Sequence, residues 1–131
     1  MIVSVGVDMV EVARIRRALE DGRIGVRFRD RVYTKREIQY CEKKRRAKYE
    51  SYAGRFAAKE AVMKALGRGW GPKVSWRNIE VIRAPGGRPE VTLHHETLAF
   101  AQKLGIDCWS LSITHTQEHA LAYVIAQDAA D

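Results

Sequence analysis

Two periodicities divide this chain into helical and extended segments. Apolar and β-branched residues run from Ile2 to Val7, bounded by Gly6 and Asp8, which predicts a short buried strand. From Val10 to Leu19 the apolar positions Val12, Ile15 and Leu19 recur at three- and four-residue steps, a helical pattern that Gly22 and Gly25 should end. Thr34-Lys35-Arg36-Glu37 reads as a capping box, so a helix is expected from Lys35 to about Lys44. The longest helical stretch runs from about Tyr49 to Leu66 and stops at Gly67, the residue suited to a left-handed C-cap. Gly67, Gly69 and Gly71 then predict a bend before Pro72.

Beyond that bend the pattern changes. Ile79 to Ile82 and Val91 to His94 read as paired strands around the turn Pro85-Gly86-Gly87-Arg88-Pro89. Glu96 to Leu104 reads as a helix stopped by Gly105. Trp109 to Ile113 alternates with period two, and Ala120 to Ala126 supplies a last strand after a polar turn over His115–His119. Helices early and antiparallel strands late predict an α+β fold, with residues 1–131 as one compact domain.

Composition narrows the class. With 131 residues, 46% hydrophobic and 30% charged, the chain has enough apolar material for a core and too many charges for a membrane bundle. No apolar run reaches the roughly 18 residues of a membrane span, and the opening Met1-Ile2-Val3 lacks the basic start of a signal peptide. Two cysteines, Cys41 and Cys108, form no CxxC pair, which argues against a disulfide scaffold and suits a cytoplasmic location. The net charge of +7 is uneven: residues 14–55 hold fifteen Lys and Arg against six Asp and Glu, whereas residues 56–131 balance at eight of each. That field suits an acidic partner, or simply a solvated basic surface.

Several residues break the local pattern. On the long helix Phe56, Met63 and Leu66 mark the apolar stripe, and Glu60 shares their face, where an ionised carboxylate needs a cation or a metal. Lys64 lies one turn on, so an ordinary Glu60–Lys64 helix pair is the bland alternative. Asp8, directly after an apolar strand, fits either a turn or cap aspartate or a second carboxylate converging on Glu60. Two carboxylates with a lysine nearby are the hard-oxygen set that holds Mg²⁺ together with substrate phosphates. Spacing alone leaves their meeting open. His115 and His119 flank a hairpin turn, which disfavours zinc; Ser112, Thr114, His115 and Thr116 fit donors to phosphate or sugar oxygens, or ordinary turn polarity. Arg88 and the backbone of its turn can cradle an anion, as many plain turns can.

Taken together, these segments resemble the bacterial holo-acyl-carrier-protein synthases, the small 4′-phosphopantetheinyl transferases, over nearly the whole chain. Gly6-Val7-Asp8-Met9-Val10-Glu11-Val12-Ala13-Arg14-Ile15 matches that family's G-x-D-x-x-x-x-x-R-I opening, and Arg55-Phe56-Ala57-Ala58-Lys59-Glu60-Ala61-Val62-Met63-Lys64-Ala65 matches its R-F-A-A-K-E-A-x-x-K-A signature without a gap. Arg68-Gly69-Trp70 departs from the smaller residues usual there.

The resemblance implies a 4′-phosphopantetheinyl transferase-like fold assembled as a homotrimer with active sites between subunits. It implies Mg²⁺-dependent transfer of phosphopantetheine from coenzyme A to a serine of an acidic apo acyl carrier protein. Adenosine 3′,5′-bisphosphate would be released, in the service of fatty acid biosynthesis. Asp8 and Glu60 match the metal ligands, with Glu60 also the candidate for taking the serine proton, and Lys64 matches the phosphate-contacting lysine. Arg55, Gly87, Arg88, Pro89, His115 and Thr116 match positions lining the coenzyme A site, and Arg14, Arg27, Phe28 and Arg31 the surface that receives the carrier protein. A nucleic-acid-binding module is the main rival suggested by the basic belt. It lacks a zinc finger, an RNP-type aromatic strand and an obvious recognition helix, and leaves Asp8 and Glu60 unexplained. A non-catalytic scaffold of the same fold is the other rival, against which the intact Asp8, Glu60 and Lys64 weigh.

Overall fold

The computed structural model describes residues 1–129. In chain order it contains β1 (Ile2–Glu11), α1 (Val12–Glu20), α2 (Gly25–Val32), α3 (Lys35–Glu42), α4 (Lys48–Leu66), β2 (Ile79–Arg83), β3 (Pro89–Leu93), α5 (His95–Lys103), β4 (Cys108–His115) and β5 (His119–Gln127). The α+β class is as expected, but the strands are not all late. The first strand pairs antiparallel with the last, and β5 pairs with β4, giving the order β1-β5-β4; β2 and β3 form a separate hairpin.

β1 runs four residues further than the local pattern suggested, because Asp8, Met9, Val10 and Glu11 find ladder partners in Ala122, Leu121, Ala120 and His119. Asp8 is therefore a strand residue and not a helix cap. Gly25 does not end a helix; it opens α2, a short helix that the sequence reading did not anticipate. The Thr34 capping box is present, with Thr34 Oγ1 accepting from the Glu37 N–H and Glu37 Oε1 accepting from the Thr34 N–H at 2.8 Å. Gly67 ends α4 at φ 75°, a left-handed conformation that costs a residue without a Cβ little.

α4 crosses the inner face of the three-stranded sheet. Ala57, Ala58 and Ala61 on the helix and Ala120, Ala122 and Ala126 on β5 are all buried, and their small size lets helix and sheet lie close. The approach is tightest at Gly6, where a Cβ would stand 1.9 Å from the Ala61 carbonyl oxygen. Ser4 Oγ donates to the Ala65 carbonyl at 2.5 Å, so the even-numbered residues of β1 face α4. The odd-numbered Val3, Val5, Val7 and Met9 face outward and are exposed.

Candidate active site

From Tyr52 to Leu66 every residue of α4 is buried except two, Glu60 and Lys64. The expected one-sided apolar stripe is thus an almost fully wrapped helix with a single polar opening. Asp8, two residues after Gly6 on the side of β1 that faces α4, meets that opening. Lys64 Nζ lies 2.9 Å from Asp8 Oδ1 and donates to the Val7 carbonyl at 3.0 Å. The helix pair expected as the bland alternative is absent among the described residues: Lys64 pairs with Asp8, and Glu60 has neither an ion-pair nor a hydrogen-bond partner. Partial burial first, and the Asp8 charge second, hold the Glu60 pKa above its ordinary value, against the opposing pull of Arg14 and Lys64.

Two neighbouring carboxylates, one half-desolvated and unpaired, are a site that a divalent cation would relieve. The oxygen donors suit a hard ion such as Mg²⁺. Among the described residues no cluster of three or more His, Cys, Asp or Glu forms, so most ligands of such an ion would come from water or a bound phosphate.

A cavity of about 160 Å³ lies elsewhere, lined by Tyr40, Lys44, Ser51, Arg55, Arg83 and His115 among others. Asp8, Glu60 and Lys64 are not part of its wall. Arg55 is buried, stacks its guanidinium 4.1 Å above the Tyr40 ring, and keeps its Nε without a partner. A buried, unpaired guanidinium N–H is an anion-seeking group. Arg83 reaches the same Tyr40 ring and donates to the Gly87 carbonyl, which ties the turn before Pro89 to the cavity; Arg88 is exposed. His115 ends β4 with Nδ1 3.9 Å from Glu50 Oε2. In the hairpin turn Thr116 Oγ1 accepts from the Glu118 and His119 N–H groups, which leaves its hydroxyl hydrogen to donate.

The proposed docking residues separate into two kinds. Arg27 and Arg31 are exposed on α2, and Arg31 stacks 4.7 Å over Trp70, itself 58% exposed. Phe28 is half-buried, 6.2 Å from Phe56, so only part of it is available to a partner. Arg14 lies over the Phe56 ring and its charge reaches Glu60, placing it between the basic surface and the carboxylates.

Tyr40, Lys44 and Arg83 have no role in the sequence reading, where Glu37 is only a capping-box residue and Lys59 only a position of the matched signature. The basic run Lys43–Arg46 was the available signal for Lys44. Lys59 is fully buried because α3 and the segment from Trp76 to Ile79 close over it.

Residues 4–124 match the family model of the 4′-phosphopantetheinyl transferase superfamily. A holo-[acyl-carrier-protein] synthase of Koribacter versatilis is 47% identical over 128 residues, covering 98% of this chain and all of the relative. The holo-[acyl-carrier-protein] synthase of Helicobacter pylori, solved in complex with coenzyme A, superposes with a TM-score of 0.81 at 33% identity, over 94% of this chain and 99% of that one. That of Neisseria meningitidis gives 0.84 at 32% identity, over 98% and 100%. The sequence motifs, the antiparallel α+β fold and these likenesses agree: the chain belongs to the 4′-phosphopantetheinyl transferase superfamily, among its holo-[acyl-carrier-protein] synthases.

Proposed function

We propose that residues 1–131 form one transferase domain that moves 4′-phosphopantetheine from coenzyme A to a serine of an apo acyl carrier protein, in support of fatty acid biosynthesis in the cytoplasm. The observation that carries this reading is the opening in α4, where Asp8, Glu60 and Lys64 converge on an otherwise buried helix. Asp8 and Glu60 would hold Mg²⁺, which when bound neutralises charge on the diphosphate. Lys64 supplies a positive charge to the departing α-phosphate. Glu60, beside the site the serine must reach, takes the serine proton. The serine oxygen then forms a bond to the β-phosphorus as the bond to the α-phosphate oxygen breaks, and adenosine 3′,5′-bisphosphate departs.

Coenzyme A is gripped through its nucleotide end. Arg55, with its unpaired buried Nε, and His115 flank the cavity, and Gly87, Arg88 and Pro89 would reach the same nucleotide from the turn that Arg83 ties to it through the Gly87 carbonyl. Thr116 offers its remaining hydroxyl donor. Arg55 and Lys64 stand nine residues apart on one helix, about 13 Å along its axis.

A homotrimer joins the two regions, the cavity of one protomer facing the carboxylates of the next. The outward face of β1 supports this, since Val3, Val5, Val7 and Met9 leave an apolar strip that a second copy would cover. Arg14, Arg27, Phe28 and Arg31 receive the carrier protein. Asp8→Ala and Glu60→Ala should each lower turnover by orders of magnitude at saturating Mg²⁺. Near-normal turnover in either variant would overturn the assignment.

A further inference from the structure

Lys64 is the only exposed residue of α4 between Tyr52 and Leu66, yet its ammonium is not free in solution. It sits against Asp8 Oδ1 at 2.9 Å and the Val7 carbonyl at 3.0 Å, two hard oxygens of one strand. Glu60, one turn back on the same helix, stays unpaired among the described residues although its i,i+4 spacing from Lys64 is that of a helix pair. A cation therefore already occupies one of the two carboxylates.

We propose that Lys64 is a resident counterion which competes with the divalent cation for Asp8, and that a diphosphate releases the carboxylate by drawing Lys64 away. This rests on the reading of Asp8 and Glu60 as the pair that holds a divalent ion. Asp8 has only 14% of its side chain exposed and cannot be left bare at no cost, so the lysine serves it in the free protein. Lys64 is 56% exposed on a flexible stem, and an ion pair of that exposure is weak enough to exchange. A diphosphate offers it a more concentrated negative charge. Divalent ion and coenzyme A then favour one another's binding, and by linkage the coupling is the same from either side. The arrangement keeps metal affinity low until the substrate that needs the metal arrives.

The test is Mn²⁺ binding to the whole protein, read by the loss of the free-ion electron paramagnetic resonance signal and corrected for Mn²⁺ bound by coenzyme A itself. Wild type and Lys64→Met are compared with and without coenzyme A, and melting temperature confirms that the exposed substitution leaves the fold intact. Without coenzyme A, Lys64→Met should bind Mn²⁺ about fivefold more tightly, the factor by which a weak surface pair withholds the carboxylate. The enhancement that coenzyme A gives should be correspondingly smaller in the variant. Equal affinities of the two free proteins would overturn the proposal. So would a tighter Lys64→Met whose coenzyme A enhancement matches wild type, because a lysine acting only through space shifts both affinities alike. Asp8→Asn should lose Mn²⁺ binding in both backgrounds. If it does not, the carboxylate reading of the site fails and this proposal with it, whereas equal affinities defeat the proposal alone.

Discussion

Lys59 and Glu37 pair at 2.9 Å with neither side chain exposed to solvent, the only fully buried ion pair among the described residues. Glu37 also accepts the Thr34 and Val81 N–H groups, and Lys59 Nζ donates to the Trp76 carbonyl at 2.9 Å and to that of Ile79. The pair thus ties α3, β2 and α4 together one residue before Glu60. Burial pushes the Lys59 pKa down and Glu37 pulls it back, so the Lys59 charge depends on its partner. Lys59→Met should cost about 3–5 kcal/mol in urea unfolding, because it strands the Glu37 charge. Lys59→Met with Glu37→Gln should recover part of that loss. A single variant as stable as wild type would mean that Glu37 needs no cation.

Gly6 sets the distance between β1 and α4, and so between Asp8 and Lys64. A methyl group there would collide with the Ala61 carbonyl, a backbone atom that cannot turn aside. Gly6→Ala should cost about 3 kcal/mol, the upper range for overpacking, and should lower kcat by displacing Asp8. Unfolding curves and steady-state kinetics on the same preparation check both outcomes.

Glu60 should also reveal itself through stability. Its folded-state pKa lies above its unfolded value, so the folded protein holds this proton more tightly. The cost of ionising Glu60 is absent below the unfolded pKa and fully present once the pH exceeds the raised folded value. Glu60→Gln removes that cost. Without divalent metal the variant should melt higher than wild type at pH 7 and converge with it below about pH 4, and with metal it should lack activity throughout. A constant difference across this range would contradict the shift.

Charge reversal on α2 should separate the two substrates. Arg27 is exposed and, unlike Arg14, its charge does not bear on Glu60. Arg27→Glu should raise KM for an acidic carrier protein roughly tenfold and leave KM for coenzyme A unchanged. Added salt should weaken the wild type more than the variant, which has less attraction to screen. Arg14→Glu, by contrast, should also lower kcat.

The parts of this protein legible in its sequence are those governed by neighbours along the chain. The Thr34–Glu37 capping box and the Gly67 stop need only a few consecutive residues, and both stand where the sequence puts them. α2 was hidden because its eight residues start at a glycine and expose Val26, so neither composition nor a long apolar period announces it. The extra length of β1 depends on β5, more than a hundred residues away, and no local rule reaches that far. The same holds at the candidate site. Glu60 drew attention as a carboxylate on an apolar face, but that Lys64 turns to Asp8 follows only from β1 lying against α4. The burial of Lys59 likewise depends on α3 and β2 enclosing it, which its neighbours along the chain do not show.

The most direct measurement of the central claim is the mass of an apo acyl carrier protein incubated with this protein, coenzyme A and Mg²⁺. The carrier should gain about 340 Da, the phosphopantetheine arm, with equimolar adenosine 3′,5′-bisphosphate released. Chelating the metal, or substituting Asp8 or Glu60 by Ala, should abolish the gain. A carrier of unchanged mass after incubation with the folded wild-type protein, or a full gain without divalent metal, would contradict it.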